Sequence, residues 1–264
     1  MKKFLVTLLV FAMALSMVAC GKKTTSGSSK SDMDYVKDKG KLVVGITDFE
    51  PMDYKDADGK WIGFDADLAT EFAKSLGVDV EFVEIVWDNK IMELDAKTID
   101  CVWNGMTLND EVMAAMKCTN AYLNNAQIVI VNASEKDKYQ TEESLKDLKF
   151  AVETGSAGAG VAKEKGFKVV EVESQAQALM EVASGTADAA IIDSLMAAAM
   201  VGEGTSYDKL TYTVKLSDEK YGVGFRKGSD LTEELNKFFK EKFKDGSLTK
   251  CAEKYGVQAA VVEQ

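Results

Sequence analysis

Strand and helix signals alternate along nearly the whole chain beyond residue 40, and this alternation limits the possible folds more than any single motif does. Lys41–Ile46 is an apolar run of strand length. Phe64–Leu76 places Phe64, Leu68, Phe72 and Leu76 on one helical face, with Asp65 positioned to cap its start and Gly77 to end it. Val78–Val86 predicts a strand, Ile91–Ala96 a short helix, and Ile99–Trp103 another strand. Further strands are predicted over Gln127–Val131, Phe150–Glu153, Val169–Val172 and Ala189–Ile192. Ser174 caps a helix that Gly185 ends, and helices over 232–243 and 248–255 close the chain. Apolar strands separated by helices build mostly parallel sheets covered on both faces, which is the α/β class. Residues 32–264 are more than one small domain needs and suit two compact lobes.

One unit occurs twice in outline. Leu94 to Asn104 and Val182 to Asp193 each run from a helix end through a tight turn and an aspartate into a buried strand. The first strand finishes on Asn104-Gly105 and the second on Asp193-Ser194. Ligands of open α/β sheets sit beyond the carboxyl ends of strands, so the two units are expected to face each other across a cleft.

The N-terminus predicts export. Lys2 and Lys3 precede an apolar stretch from Phe4 to Val18 that is short for a membrane span, and Ala19-Cys20-Gly21 follows. The segment resembles a bacterial lipobox, which makes residues 1–20 a signal peptide and Cys20 the lipid attachment site. Met17 stands where that pattern prefers leucine. Gly21 to Ser31 is Gly, Lys, Thr and Ser throughout, so residues 21–32 are expected to be a flexible tether.

Composition excludes several functions. The formal net charge is −11, and losing residues 1–20 would remove two lysines and no acid, which argues against nucleic acid as a partner. With no histidine in the sequence, Ser-His-Asp and Cys-His catalysis and His-based metal sites are all unavailable. No cofactor is indicated. An exported location allows one disulfide among Cys101, Cys118 and Cys251. Cys101 with Cys118 is the first candidate pair, and three buried free cysteines are the alternative.

Lys41 to Asp67, KLVVGITDFEPMDYKDADGKWIGFDAD, resembles the opening of the bacterial extracellular solute-binding proteins of polar amino acid ABC transporters, family 3. IDCVWNGMT (Ile99–Thr107), AVETGSAG (Ala151–Gly158), GTADAAIIDS (Gly185–Ser194) and the ending from Tyr221 to Gly256 follow in the family's order. The resemblance implies a type II periplasmic-binding-protein fold with two lobes joined by two crossover strands. Lobe 1 would be residues 33–125 with 215–264, and lobe 2 residues 126–214. It also implies a monomeric, lipid-anchored protein on the outer face of the cell membrane, which captures an amino acid or similar small molecule between its lobes and passes it to an ABC permease.

By the same resemblance, Asp193 accepts the ligand's ammonium, a charge-assisted contact; the alternative is that it caps the helix after it, and the two roles could coincide. Asn104, Gly105 and Thr107 stand at the opposing strand end. Gly155, Ser156 and Ala157 head a helix whose free N–H groups favour an anion. Phe49 and Trp87 match positions of aromatic rings around the ligand. One expected residue is missing: after Gly105-Met-Thr the family continues to a Glu-Arg pair whose arginine grips the ligand's carboxylate, and here Glu111 is followed by Val112. Three explanations are open. The helix start at 155–158 could hold the carboxylate, with a lysine such as Lys117; the ligand could be an amine or other cation; or the pocket could read a modified amino acid or short peptide. Dehydratase-like enzymes share this fold, and Glu50, Glu111 and Glu153 would be the candidate acids. Without histidine or a fused catalytic domain the expectation is a binder and not an enzyme, with a receptor's sensor subunit as a further alternative.

Overall fold

The computed structural model describes residues 30–264. The expected signal peptide, Cys20 and residues 21–29 of the expected tether lie outside the described residues. Its strands are β1 (Lys41–Ile46), β2 (Tyr54–Lys55), β3 (Trp61–Ile62), β4 (Asp79–Glu84), β5 (Cys101–Thr107), β6 (Lys117–Cys118), β7 (Leu123–Asn132), β8 (Lys149–Glu153), β9 (Lys168–Val172), β10 (Ala189–Asp193) and β11 (Leu210–Phe225). The α-helices are α1 (Asp32–Lys39), α2 (Phe64–Leu76), α3 (Lys90–Asp95), α4 (Asp110–Ala115), α5 (Ala157–Glu164), α6 (Gln175–Ser184), α7 (Ser194–Met200), α8 (Leu231–Lys244) and α9 (Ser247–Lys254).

The main sheet runs β4-β1-β5-β11-β7-β10-β8-β9. Its two halves repeat one plan. β1 lies between parallel β4 and β5, and β8 lies between parallel β9 and β10. An antiparallel strand closes each set, β11 on β5 and β7 on β10. β7 and β11 then pair with each other from Leu123↔Tyr221 to Asn132↔Leu210. That long antiparallel pair carries the chain between the halves, and residues 31–264 form one compact unit as a result. The architecture is α/β with a mixed sheet flanked by helices; the parallel strands β1, β5, β8 and β10 are buried apolar runs, and the edge strands β4 and β9 are more exposed.

Helix ends follow local chemistry. The Ser174 hydroxyl accepts the Gln177 N–H at 3.1 Å, and Gly185, at φ 77°, ends α6. α2 differs from expectation. Gly63 stands at its N-cap with no side-chain cap bond, and Asp65, expected to cap, is buried. With Gly63 setting the helix start, Asp65 is turned inward. The tether expectation also ran too far: Ser31 caps α1, and Asp32, its first residue, pairs with Arg226 at 3.0 Å.

The aromatic core of the first half gathers Phe72, Trp103, Tyr122 and Phe239, with Trp103 edge-on to Phe239 at 5.5 Å. The candidate disulfide is absent: Cys101, Cys118 and Cys251 are free. Cys101 lies within the buried sheet, where burial pushes its thiol well above the usual range.

Candidate functional site

The strand ends of the two halves line one narrow cavity of about 20 Å³. All nine cleft residues singled out in the sequence line it: Phe49, Trp87, Asn104, Gly105, Thr107, Gly155, Ser156, Ala157 and Asp193. Val112, which stands at the position of the missing arginine, and Glu153, one of the candidate acids, share the wall, as do Asp48, Lys90 and Gln175, which the sequence did not single out.

Asp193 ends β10 and is 4% exposed. It occupies the N-cap position of α7, yet its side chain makes no capping bond, which removes the capping role. Instead its carboxylate accepts from three neutral amides, those of Asn125, Gln127 (2.8 Å) and Gln175. Gln175 also accepts the Asp193 N–H at 2.8 Å, fixing the group from both sides. The Asn125 and Gln127 amides donate as well to Glu219, at 2.6 and 2.8 Å. Burial, reinforced by Glu219, pushes the Asp193 carboxyl well above its ordinary pKa. Amides satisfy hydrogen bonds but supply no opposite charge, so the site favours a cation there.

The opposite strand end is held rigid from behind. Gly105 has φ +53°, and a Cβ there would stand 2.4 Å from the Phe49 ring, so only glycine lets that ring close over the backbone. Its N–H donates to Asp65 at 2.7 Å, as does the Tyr122 hydroxyl at 2.7 Å. Burial pushes the Asp65 carboxyl up to about 6. The Asn104 amide accepts from the Thr47 N–H (3.1 Å) and hydroxyl (2.7 Å), and donates to the Thr47 carbonyl (3.1 Å) and Asp53 (2.8 Å). Its hydrogen-bonding capacity is fully engaged in fixing the loop that carries Phe49.

Where the halves meet, Ser156 caps α5 through the Ala159 N–H at 3.1 Å, leaving the Ala157 and Gly158 N–H groups at the helix head without intrahelical acceptors. Gly155 has φ +71°, and a Cβ on it would collide with Asp88 of the first half. The Lys90 ammonium spans the same junction, donating to the Trp87 carbonyl at 3.2 Å and the Gly155 carbonyl at 3.1 Å. It also lies 4.9 Å from the centre of the Trp87 ring. Burial lowers the Lys90 pKa, against the pull of Glu111, Asp88 and Glu153. Burial likewise raises Glu153 to about 8, with Lys90 and Gln175 opposing. Val112 is 2% exposed on the same wall.

Lys117, considered above as a carboxylate partner, is not on the cavity wall. It donates to Glu233 at 2.6 Å and to the Ser229 carbonyl at 3.0 Å. Of the three candidate acids only Glu153 lines the cavity; Glu111 lines an adjoining groove that shares Lys90 and Val112 with it, and Glu50 lines a groove elsewhere. Lys90 escaped sequence reading because a lysine opening a short helix looks solvated; the available signal was its place directly after Trp87-Asp88-Asn89. Among the described residues no cluster of acids and cysteines is arranged to hold a metal, and no helix is long and apolar enough to cross a membrane.

Residues 42–258 match the family model of bacterial extracellular solute-binding proteins, family 3. The arginine-binding extracellular protein ArtP of Bacillus subtilis (strain 168) is 32% identical over 267 residues, covering 97% of this chain and 98% of that protein. The structure of holo ArgBP from T. maritima superposes with a TM-score of 0.74 at 33% identity, covering 82% of this chain and 98% of that one. An ancestral amino acid-binding protein, AncCDT-1, a precursor of cyclohexadienyl dehydratase, superposes with a TM-score of 0.78 at 36% identity, covering 85% and 99%.

Proposed function

The chain belongs to the bacterial extracellular solute-binding proteins of family 3, and we propose that it is the substrate-binding component of an ABC importer, capturing an amino acid between its lobes. The observation that carries this reading is Asp193, a buried carboxylate on the cavity wall that accepts from three neutral amides and has no cation bonded to it among the described residues. A ligand ammonium supplies the charge those amides lack. Around the ammonium, Gly105 and Thr107 offer backbone and hydroxyl oxygens from the facing strand end, and Phe49 and Trp87 wall the side chain. Asp193 and Asp48 face Lys90 alone among cations on the wall, which favours a ligand with net positive charge. ArtP and ArgBP, named for arginine, point to the same class.

Closure joins lobe 1, residues 33–125 with 215–264, to lobe 2, residues 126–214, around the ligand, and the closed form meets the permease. The protein acts as a monomer outside the cell, tethered through Cys20, which becomes the first residue once the segment before it is removed, and does not turn its ligand over.

A second reading, an amine without a carboxylate, draws on Val112, an apolar side chain on the wall. A thermal-shift screen of the purified protein separates the two by pairing each L-amino acid with its decarboxylated amine. A ligand at about a thousand times its Kd adds about 4 kcal/mol, or roughly 10 °C. Shifts by amino acids and not by their amines are expected. The reverse pattern replaces the amino acid reading with the amine reading.

A further inference from the structure

Lys90 is the one cation among the residues lining the cavity, and it is 7% exposed. A buried ammonium needs anions or acceptors on all sides. Two of its three protons are engaged, by the Trp87 and Gly155 carbonyls. The Gly155 contact brings the charge beside the head of α5, where the Ala157 and Gly158 N–H groups also carry positive potential. Two independent positive features therefore meet at one point of the wall, with Val112 adding neither charge nor hydrogen bond there. Asp193, the amide-bound carboxylate, stands on the same wall.

We propose that the third proton of Lys90, with the first N–H groups of α5, holds the ligand's α-carboxylate, making Lys90 the residue that separates amino acids from amines. The assignment rests on the reading of the cavity as an amino acid site. It gives the cavity a negative and a positive pole, and a zwitterionic head group matches both. Glu153, at about 8, is protonated near neutral pH, so it does not cancel the Lys90 charge there. A rival role for the same contacts is mechanical: Lys90 could only latch the two halves through Gly155.

Calorimetric titration distinguishes these. The probes are L-arginine with agmatine, L-lysine with cadaverine, and L-histidine with histamine. The proteins are the wild type, Lys90→Met and Lys90→Gln, the last keeping amide protons for the two carbonyls. For the best-bound pair, the wild type is expected to favour the amino acid at least about tenfold. In both variants amino acid affinity falls about ten- to a hundredfold, amine affinity changes less than about threefold, and the preference disappears. Equal loss for both probes assigns Lys90 to latching and overturns the proposal, as does an unchanged preference. A wild type that binds no amino acid brings down the amino acid reading itself, and that arm does not depend on the variants.

Discussion

The two helix–turn–strand units that echo each other in the sequence are built on the same clip but place their charge at opposite ends. In the first, the Asp100 N–H donates to the Val43 carbonyl at 2.7 Å and its carboxylate accepts the Val43 N–H at 2.8 Å. In the second, Asp188 does the same with Lys149, at 3.0 and 2.9 Å. Both clips set the same register, Val44↔Cys101 in one half and Phe150↔Ala189 in the other. Beyond the clip the units diverge. Asp100 is fully buried and paired with Lys39 and Arg226, whereas Asp188 is exposed. Further along the strand, the first unit carries Asn104, a neutral amide engaged with Thr47 and Asp53. The second finishes on Asp193, a buried carboxylate facing the cavity. The first unit thus has its charge compensated at the strand entry, where it supports the fold. The second leaves its charge uncompensated at the strand exit, where a ligand can complete it.

Exchanging charge for amide in each unit tests this division. The largest effect is expected from Asp193→Asn, which keeps shape and removes the anion. Ligand affinity should fall about a thousandfold, or 4 kcal/mol, while the ligand-free protein melts no lower than the wild type. Calorimetry and a melting curve on one sample check both halves of that statement. Asp100→Asn should behave in the opposite way. Removing the partner of buried Arg226 is expected to cost about 3 kcal/mol of stability, read from urea unfolding, with ligand affinity within about twofold of the wild type.

The pH dependence is smaller. Asp193 is raised, Glu153 lies at about 8 and Asp65 at about 6, each through burial. Folded-state pKa values above the unfolded ones mean that the native state holds more protons across that window. The stability these groups contribute is therefore full below their unfolded pKa values and is lost as pH rises toward 8. The ligand-free melting temperature should decline from pH 5 to 8, and Glu153→Gln should flatten the decline by about 5 °C. A slope unchanged in the variant would show that Glu153 does not titrate there. The smallest effect is expected from Asp188→Ala, under about 1 kcal/mol by the same urea assay, because water can reach the N–H it releases.

What the sequence made legible was local or periodic. The alternation of elements, the Ser174 cap and the repeated unit are all properties of short windows, and the strand ends then indicated where a cleft would lie. What it hid depends on distant partners. Asp65 reads as a helix cap until Gly105 and Tyr122, far along the chain, are seen bonding to it. The Asp193 cradle draws one amide from α6 and two from β7, so no single window contains it. β11 reads as solvated through Lys215-Leu-Ser-Asp-Glu-Lys220 because its crossing segment is only partly covered; its pairing with β7, and not apolarity, makes it a strand. Lys90 looks like a surface lysine because its burial comes from Trp87 and from Gly155 in the opposite half.

The most direct test of the account is native mass spectrometry of the protein incubated with an equimolar mixture of the twenty amino acids, with Asp193→Asn in parallel. The account predicts one amino acid adduct per wild-type chain and none on the variant. A wild type without an adduct, or a variant carrying the same adduct at the same occupancy, would contradict it.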